Sequence, residues 1–268
     1  MHFIFDIDGT ISFKGQPVSA PIMDCLARIQ EAGHVVGFAS ARPCRDMLPV
    51  LDERFHHNLL IGANGAMTYF KGERLASSPL PQITSDTIIS LLEQYEASYL
   101  VDDEWNYAHN LEDSHPFLFN VDPLRLAAHV PMNEIHSTIK ILVLGSNRLE
   151  ELTEKLKSLN TTLHYHSAEG ILDMTNVGVN KMAALRSFGI NPGQFVCFGN
   201  DMNDIPMFEQ AGYAVAIGSF DKLLPHASCS IPVGDDTEDR IIAKLEELAF
   251  GEIFADRSDA SSDTILSS

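Results

Sequence analysis

The chain has 268 residues, 45% of them hydrophobic, which suits one large domain or two moderate ones and provides for a packed core. Its formal charge of −19 repels nucleic-acid phosphates and anionic lipid, and sets those partners aside. A phosphate-bearing ligand would need local cations or a metal to enter such a field.

In chain order, "HFIFD" reads as a strand and "APIMDCLARIQEAG" as a helix, with Ile22, Leu26, Ile29 and Ala32 on one stripe and Gly33 as its stop. "HVVGFAS" is the next strand, "RDMLPVLDERF" a helix and "NLLIGANG" a short strand. In the middle, "TSDTIISLLEQYEA" is a helix with Thr84 or Ser85 as N-cap, "STIKILVLG" a strand and "RLEELTEKLKSL" a helix. "TTLHYHSAEGILDMT" supplies strand pairs. The alternation then resumes: helix "NKMAALRSFG", strand "QFVCFGN", helix "NDIPMFEQAG", strand "YAVAIG" and helix "TEDRIIAKLEELAF". Unalternating apolar strands between helices predict an α/β doubly wound parallel sheet. Residues 1–75 and 171–250 form this discontinuous core, and residues 76–170 form an inserted α+β module. The polar stretch 251–268 is expected to be disordered. Cys25, Cys44, Cys197 and Cys229 have no CxxC spacing and read as ordinary thiols of a reducing compartment. There is no basic-then-apolar leader and no long apolar run, so a soluble cytoplasmic protein is expected.

Polar residues interrupt this architecture where strands should end, the place where open parallel sheets bind ligands. In "DIDGT", Asp6 and Asp8 stand two apart on an extended segment and point the same way, and Gly9 permits the turn that follows. Two close carboxylates resist full ionisation unless a cation sits between them. One could act as nucleophile and the other as acid/base, with a divalent ion neutralising the pair. "FASAR" offers the Ser40 hydroxyl and Arg42, the latter equally well a phosphate ligand or a structural ion pair. Lys181, near a helix start, adds to a positive helix end. Asn200, Asp201, Asn203 and Asp204 crowd a strand-to-helix turn with oxygens of the kind that suit Mg²⁺. Asn64 is either a turn residue beside Gly65 or a substrate contact. His164 and His166 share a strand face but lack a third metal ligand, and His56 and His57 read as loop surface. Trp105, the only tryptophan, fits a half-buried turn slightly better than a ring that stacks on substrate.

These segments in this order, "DIDGT", "FASAR", "GANGA", "LDMTNVGVNKMAAL" and "FGNDMNDIPMF", resemble the haloacid dehalogenase superfamily of phosphatases, in its Cof-type branch. The resemblance implies that Asp6 attacks phosphorus to form an aspartyl-phosphate, and that Asp8 protonates the leaving alcohol and then activates water. It implies Mg²⁺ held by Asp6, Asp8 through its backbone carbonyl, and the Asn200, Asp201 and Asp204 turn. It places Gly9, Thr10, Ser40, Arg42, Asn64, Lys181 and Asn203 around the phosphate and substrate. The inserted module would be a cap that selects small phosphorylated metabolites, sugar phosphates foremost. One departure stands out from the family pattern Gly-Asp-x-x-Asn-Asp: Asn200 follows Gly199 and an aspartate, Asp201, comes one position later. Either Asn200 takes the metal position and the site loses a formal charge, or Asp201 supplies the ligand from a differently shaped turn; the first is preferred. Two other readings stay open at this stage, a phosphomutase of the same fold and a catalytically silent metabolite-binding regulator.

Overall fold

The computed structural model describes residues 1–166 and 170–251; the expected tail beyond Gly251 and the side chain of His166 lie outside them. The larger sheet contains β1 (His2–Phe5), β2 (Val35–Ala39), β3 (Leu59–Gly62), β4 (Met67–Phe70) and β5 (Glu73–Ser77). A second sheet is built from β6 (Ser98–Asp102), β7 (Tyr107–His109), β8 (Lys140–Gly145), β9 (Thr161–His166) and β10 (Ile171–Asn176). The chain then returns to the larger sheet with β11 (Phe195–Gly199), β12 (Tyr213–Ile217) and β13 (Cys229–Ile231). The larger sheet runs β13-β12-β11-β1-β2-β3-β4-β5, parallel from β13 to β3 and antiparallel through β4 and β5. Phe5 of β1 sits opposite Phe198 on one side and Phe38 on the other. This register brings the carboxyl ends of β1, β2 and β11 side by side, so Asp6, Ser40 and Asn200 each follow directly from a central strand.

Alternation along β1 sends Phe3 and Phe5 to one face and Ile4 to the other. The first face packs under α1 (Ala20–Glu31) and α7 (Thr237–Phe250), through Ile22, Leu26, Ile241 and Leu245. The second packs under α5 (Lys181–Ser187) and α6 (Ile205–Phe208), through Met182, Leu185, Met207 and Phe208. A strand buried on both faces has no solvent side to make polar, which is why "HFIF" shows no alternation. The helix read in "RDMLPVLDERF" shrinks to α2 (Cys44–Met47) and two 3-10 turns, Leu48–Val50 and Glu53–Phe55. Pro49 lacks the N–H that a continuing α-helix needs, and the backbone turns extended at Leu51. The helix read in "NDIPMFEQAG" likewise reduces to a 3-10 turn, Met202–Asp204, and the short α6.

The second sheet is antiparallel, in the order β7-β6-β8-β10-β9. One face is covered by α3 (Gln82–Gln94) and α4 (Leu149–Lys157). α3 starts after Pro81, so neither Thr84 nor Ser85 caps it; Ser85 is buried, its hydroxyl 2.9 Å from that of Thr138. The other face carries Leu100, Leu142 and Ile171. β10 pairs with β8 and β9, so this sheet runs to Asn176, past the boundary expected at residue 170. In cross-strand register, Leu100, Leu142 and Asp173 form one row, and Asp102, Lys140 and Thr175 form the next row on the same face, two residues along. Trp105 is half-buried in the turn between β6 and β7, its ring beside Tyr69 and its N–H donating to the Leu126 carbonyl.

Charged side chains join the two sheets. Arg45 of α2 is buried and donates to Asp102 Oδ1 at 2.5 Å and to the Trp105 carbonyl at 2.8 Å. Lys140 donates to the Ala41 carbonyl at 2.7 Å and pairs with Asp173 at 2.9 Å. Asp46, also buried, accepts the Asp122 N–H at 2.9 Å. Burial raises the Asp46 pKa to about 6; nearby Arg45 opposes the shift and Asp102 adds to it. A pKa above the unfolded value means that ionisation costs stability, and the cost grows from about pH 4 to pH 6. Asp46→Asn removes it. The variant is therefore expected to gain about 2–3 kcal/mol relative to wild type between pH 4.5 and pH 7 in urea unfolding. Parallel stability profiles for the two proteins would remove Asp46 as the titrating group.

Candidate active site

Asp6 follows β1 with its N–H still bonded to the Phe198 carbonyl at 2.9 Å, and its side chain is buried. Oδ1 accepts from Lys181 Nζ at 2.6 Å and Oδ2 from Thr10 Oγ1 at 2.8 Å. Lys181 opens α5, whose N-cap Asn180 accepts the Ala183 N–H at 2.9 Å. Its ammonium is wholly buried and also donates to Asp204 Oδ1 at 2.6 Å. Asp204 Oδ2 accepts the N–H groups of Asn200 and Asp201 at 2.8 and 3.1 Å, which closes the turn after β11. One lysine thus bridges two buried carboxylates. Burial works against its charged form, but Asp204 and Asp6 outweigh burial and hold its pKa above the ordinary value. Burial also raises the Asp6 pKa to about 7; Lys181 opposes that shift and Asp204 reinforces it.

Asp8 lies further out, its carboxylate about half exposed and held from both sides by Arg42, Nε to Oδ2 at 2.7 Å and Nη2 to Oδ1 at 2.7 Å. Ser40, buried at the end of β2, accepts the Arg42 N–H at 3.1 Å. Gly9 turns the chain with φ +77°, and a Cβ there would stand 2.2 Å from the Asn200 side-chain nitrogen. The Asn200 amide therefore lies across the Asp8–Gly9 turn. One end of the amide is 3.1 Å from Asp6 Oδ2 and 3.2 Å from both the Asp8 carbonyl oxygen and Thr10 Oγ1.

With the amide oxygen at that end, these atoms fit a divalent cation. Oxygens that share Mg²⁺ at about 2.1 Å lie roughly 3 Å apart, and hard oxygen donors are the ligands it prefers. Among the described residues no three His, Cys, Asp or Glu side chains gather as a metal cluster; this donor set instead joins one carboxylate, one backbone carbonyl and one amide. Asp201 and Asp204, expected among the ligands, have other partners. Asp201 caps the 3-10 turn by accepting the Met202 N–H at 2.7 Å, and Asp204 holds Lys181.

A cavity of about 530 Å³ opens over the site. Asp6, Asp8, Gly9, Ser40, Arg42, Asn200, Asp201 and Asn203 line it from the larger sheet. Thr10, Lys181 and Asp204 are not in its wall; they are buried and linked to Asp6 directly or through Lys181. Lys181 was expected to bind phosphate, but its ammonium is buried and donates to the carboxylates of Asp6 and Asp204. Asn64, with φ 58°, joins the site indirectly: it accepts from Asn203 at 3.0 Å and donates to Asp173 at 3.1 Å. From the second sheet the cavity is lined by Leu100, Leu142, Ile171, Asp102, Lys140 and Asp173, with Phe117 beside them. The sequence reading missed these charged residues, although "STIKILVLG", "YLVDD" and "ILDMT" each place a charge in or at the end of an apolar strand. His164 and Trp105 do not line the cavity.

The sequence pattern of the haloacid dehalogenase-like hydrolases matches residues 3–243. The chain belongs to that family. An HMP-PP phosphatase of Serratia proteamaculans is 26% identical to this hydrolase over 254 residues, spanning 85% of this chain and 86% of that protein. The 5-amino-6-(5-phospho-D-ribitylamino)uracil phosphatase of Bacillus subtilis is 20% identical over 236 residues, spanning 80% and 85%. Among solved structures, a haloacid dehalogenase-like hydrolase from Bacteroides thetaiotaomicron superposes with a TM-score of 0.78 at 18% identity, over 92% of this chain and 98% of that one. A sugar phosphatase of subclass IIB gives 0.74 at 20% identity, with the same coverage. The hydrolase thus has the α/β fold and the Cof-type kinship that its motifs imply.

Proposed function

We propose that this hydrolase is a Mg²⁺-dependent phosphatase of small phosphorylated metabolites. The observation that carries the reading is the Asp6 carboxylate, backed by Lys181 and Thr10, in the wall of a cavity that Asp8 also lines. Asp6 attacks phosphorus, the bond from phosphorus to the ester oxygen breaks, and the leaving oxygen takes a proton from Asp8. Asp8 then removes a proton from the water that hydrolyses the aspartyl-phosphate. Arg42 orients the Asp8 carboxylate for both steps, and Ser40 and Asn203 supply hydrogen bonds at the cavity wall. Asp6 Oδ2, the Asp8 carbonyl and Asn200 Oδ1 would hold Mg²⁺, which supplies positive charge to the phosphoryl group in an otherwise acidic protein.

The second sheet faces this centre with Leu100, Leu142, Ile171 and Phe117, a surface that favours a leaving group with an apolar ring face. Two relatives named above act, by their names, on HMP-PP and on a phosphoribityl aminouracil, and the named sugar phosphatase keeps sugar phosphates as the second reading, to which the polar pair Lys140 and Asp173 is suited. Phosphate release with Mg²⁺ over a panel of phosphorylated heterocycles and sugar phosphates tests the reading. Heterocycles are expected to lead in kcat/KM by tenfold or more; sugar phosphates in the lead would reverse the assignment. Isomerisation of a hexose 1-phosphate in place of phosphate release would make the protein a mutase, and inactivity across the panel would make it a binding protein. The acidic surface and the four free cysteines agree with a small-molecule enzyme of the cytoplasm, without nucleic-acid or membrane partners. Among the described residues no helix is long and apolar enough to cross a membrane.

A further inference from the structure

One end of the Asn200 amide meets Asp6 Oδ2, the Asp8 carbonyl oxygen and Thr10 Oγ1 at 3.1, 3.2 and 3.2 Å. The carboxylate and the carbonyl can only accept hydrogen bonds. Thr10 has one proton, and its shorter contact, 2.8 Å, is to Asp6 Oδ2. With Oδ1 at the shared point, acceptor oxygens crowd one another and only a cation among them makes the arrangement favourable. A half-turn of the amide puts Nδ2 at that point instead. Its two protons then face Asp6 Oδ2 and the Asp8 carbonyl, and the crowding becomes a pair of hydrogen bonds, one of them to a carboxylate. The half-turn exchanges two groups of nearly equal size and asks nothing of the backbone. Gly9 leaves room for it, since any side chain there would collide with the amide.

We propose that Asn200 is a two-faced residue: its oxygen serves bound Mg²⁺, and its NH₂ replaces the cation when the site is empty. This rests on the Mg²⁺ reading above. An aspartate at 200 has no donor and serves the first state alone, so the exchange of acid for amide trades metal affinity for a metal-free protein that is internally satisfied. The amide lowers Mg²⁺ affinity twice over, by one lost charge and by the hydrogen bonds that the cation must displace.

The test compares wild type, Asn200→Asp and Asn200→Ala, by calorimetric titration with MgCl₂ and by thermal unfolding in EDTA. Asn200→Asp is expected to bind Mg²⁺ at least tenfold more tightly, while its Tm in EDTA falls by about 3–6 °C and its Tm in saturating Mg²⁺ does not fall. Asn200→Ala is expected to lose Tm in EDTA and to bind Mg²⁺ more weakly than wild type. In the wild type itself, the Asn200 side-chain NH₂ protons should exchange slowly in EDTA and faster once Mg²⁺ is added, which reads the switch without any substitution. Equal Tm values in EDTA for wild type and Asn200→Asp, or NH₂ exchange that ignores Mg²⁺, would overturn the two-faced role. Absence of Mg²⁺ binding by all three proteins would instead overturn the Mg²⁺ reading on which it rests.

Discussion

Asp6→Asn is expected to lower phosphate release by about 10³- to 10⁵-fold while leaving the protein folded. An amide keeps the shape of the side chain: its oxygen can still accept from Lys181, now 2.6 Å from Asp6 Oδ1, and its NH₂ can donate to the Thr10 hydroxyl, now 2.8 Å from Oδ2. It cannot form the covalent bond to phosphorus. Stability should move the other way from activity. Asp6 titrates near 7 in the folded protein because burial raises its pKa, against the pull of Lys181 and with the push of Asp204. A folded pKa above the unfolded one means that ionising Asp6 costs stability increasingly from about pH 4 to pH 7, and an amide does not ionise. In EDTA at pH 7.5 the variant should therefore be as stable as wild type, or more so, in urea unfolding. The combination excludes misfolding as the source of the activity loss. Activity within tenfold of wild type would remove Asp6 as the nucleophile.

The same property made this site legible in the sequence and left its opposite wall hidden. Asp6, Ser40 and Asn200 could be found because each is a polar residue directly after an apolar strand, and a parallel sheet presents all such ends along one edge. Lys140, Asp102 and Asp173 break the pattern of apolar strands just as clearly. Their partners, however, are set by how β6, β8 and β10 pair, and by Arg45 and Asn64 reaching across from the larger sheet. No spacing along the chain encodes those contacts. The boundary at residue 170 failed for a different reason. The strand pair read in "TTLHYHSAEGILDMT" crosses residue 170, and the ladder of β10 with β9 and β8 carries the second sheet to Asn176. Lys181 was legible as a member of the site but not in its direction, because a helix N-terminus can turn a lysine toward solvent phosphate or toward buried carboxylates, and here the two carboxylates of Asp6 and Asp204 hold it.

That direction gives Lys181→Met the largest expected effect on stability. The ammonium has no solvent contact and lies 2.6 Å from a carboxylate oxygen on each side. Methionine fills most of the space but leaves Asp6 and Asp204 buried without their cation. Removing one partner of a buried ionic group costs about 3–5 kcal/mol, because the remaining charge has lost both water and its counter-ion. The cost should depend on pH in a definite direction. Lys181 is the group that opposes the rise of the Asp6 pKa, so without it that pKa climbs beyond about 7. The variant's folded state then holds a proton over a wider range than the unfolded chain does, and its stability falls as pH rises through that range. The deficit against wild type, measured by urea unfolding in EDTA, should be smaller at pH 5.5 than at pH 8. Catalysis should fall together with stability at neutral pH, since a protonated Asp6 does not attack phosphorus, and whatever rate remains should rise toward alkaline pH. A deficit of equal size at both pH values, with an unshifted pH–rate profile, would mean that Lys181 acts by filling space. In that case the charge of the two carboxylates would need another counterweight within the site.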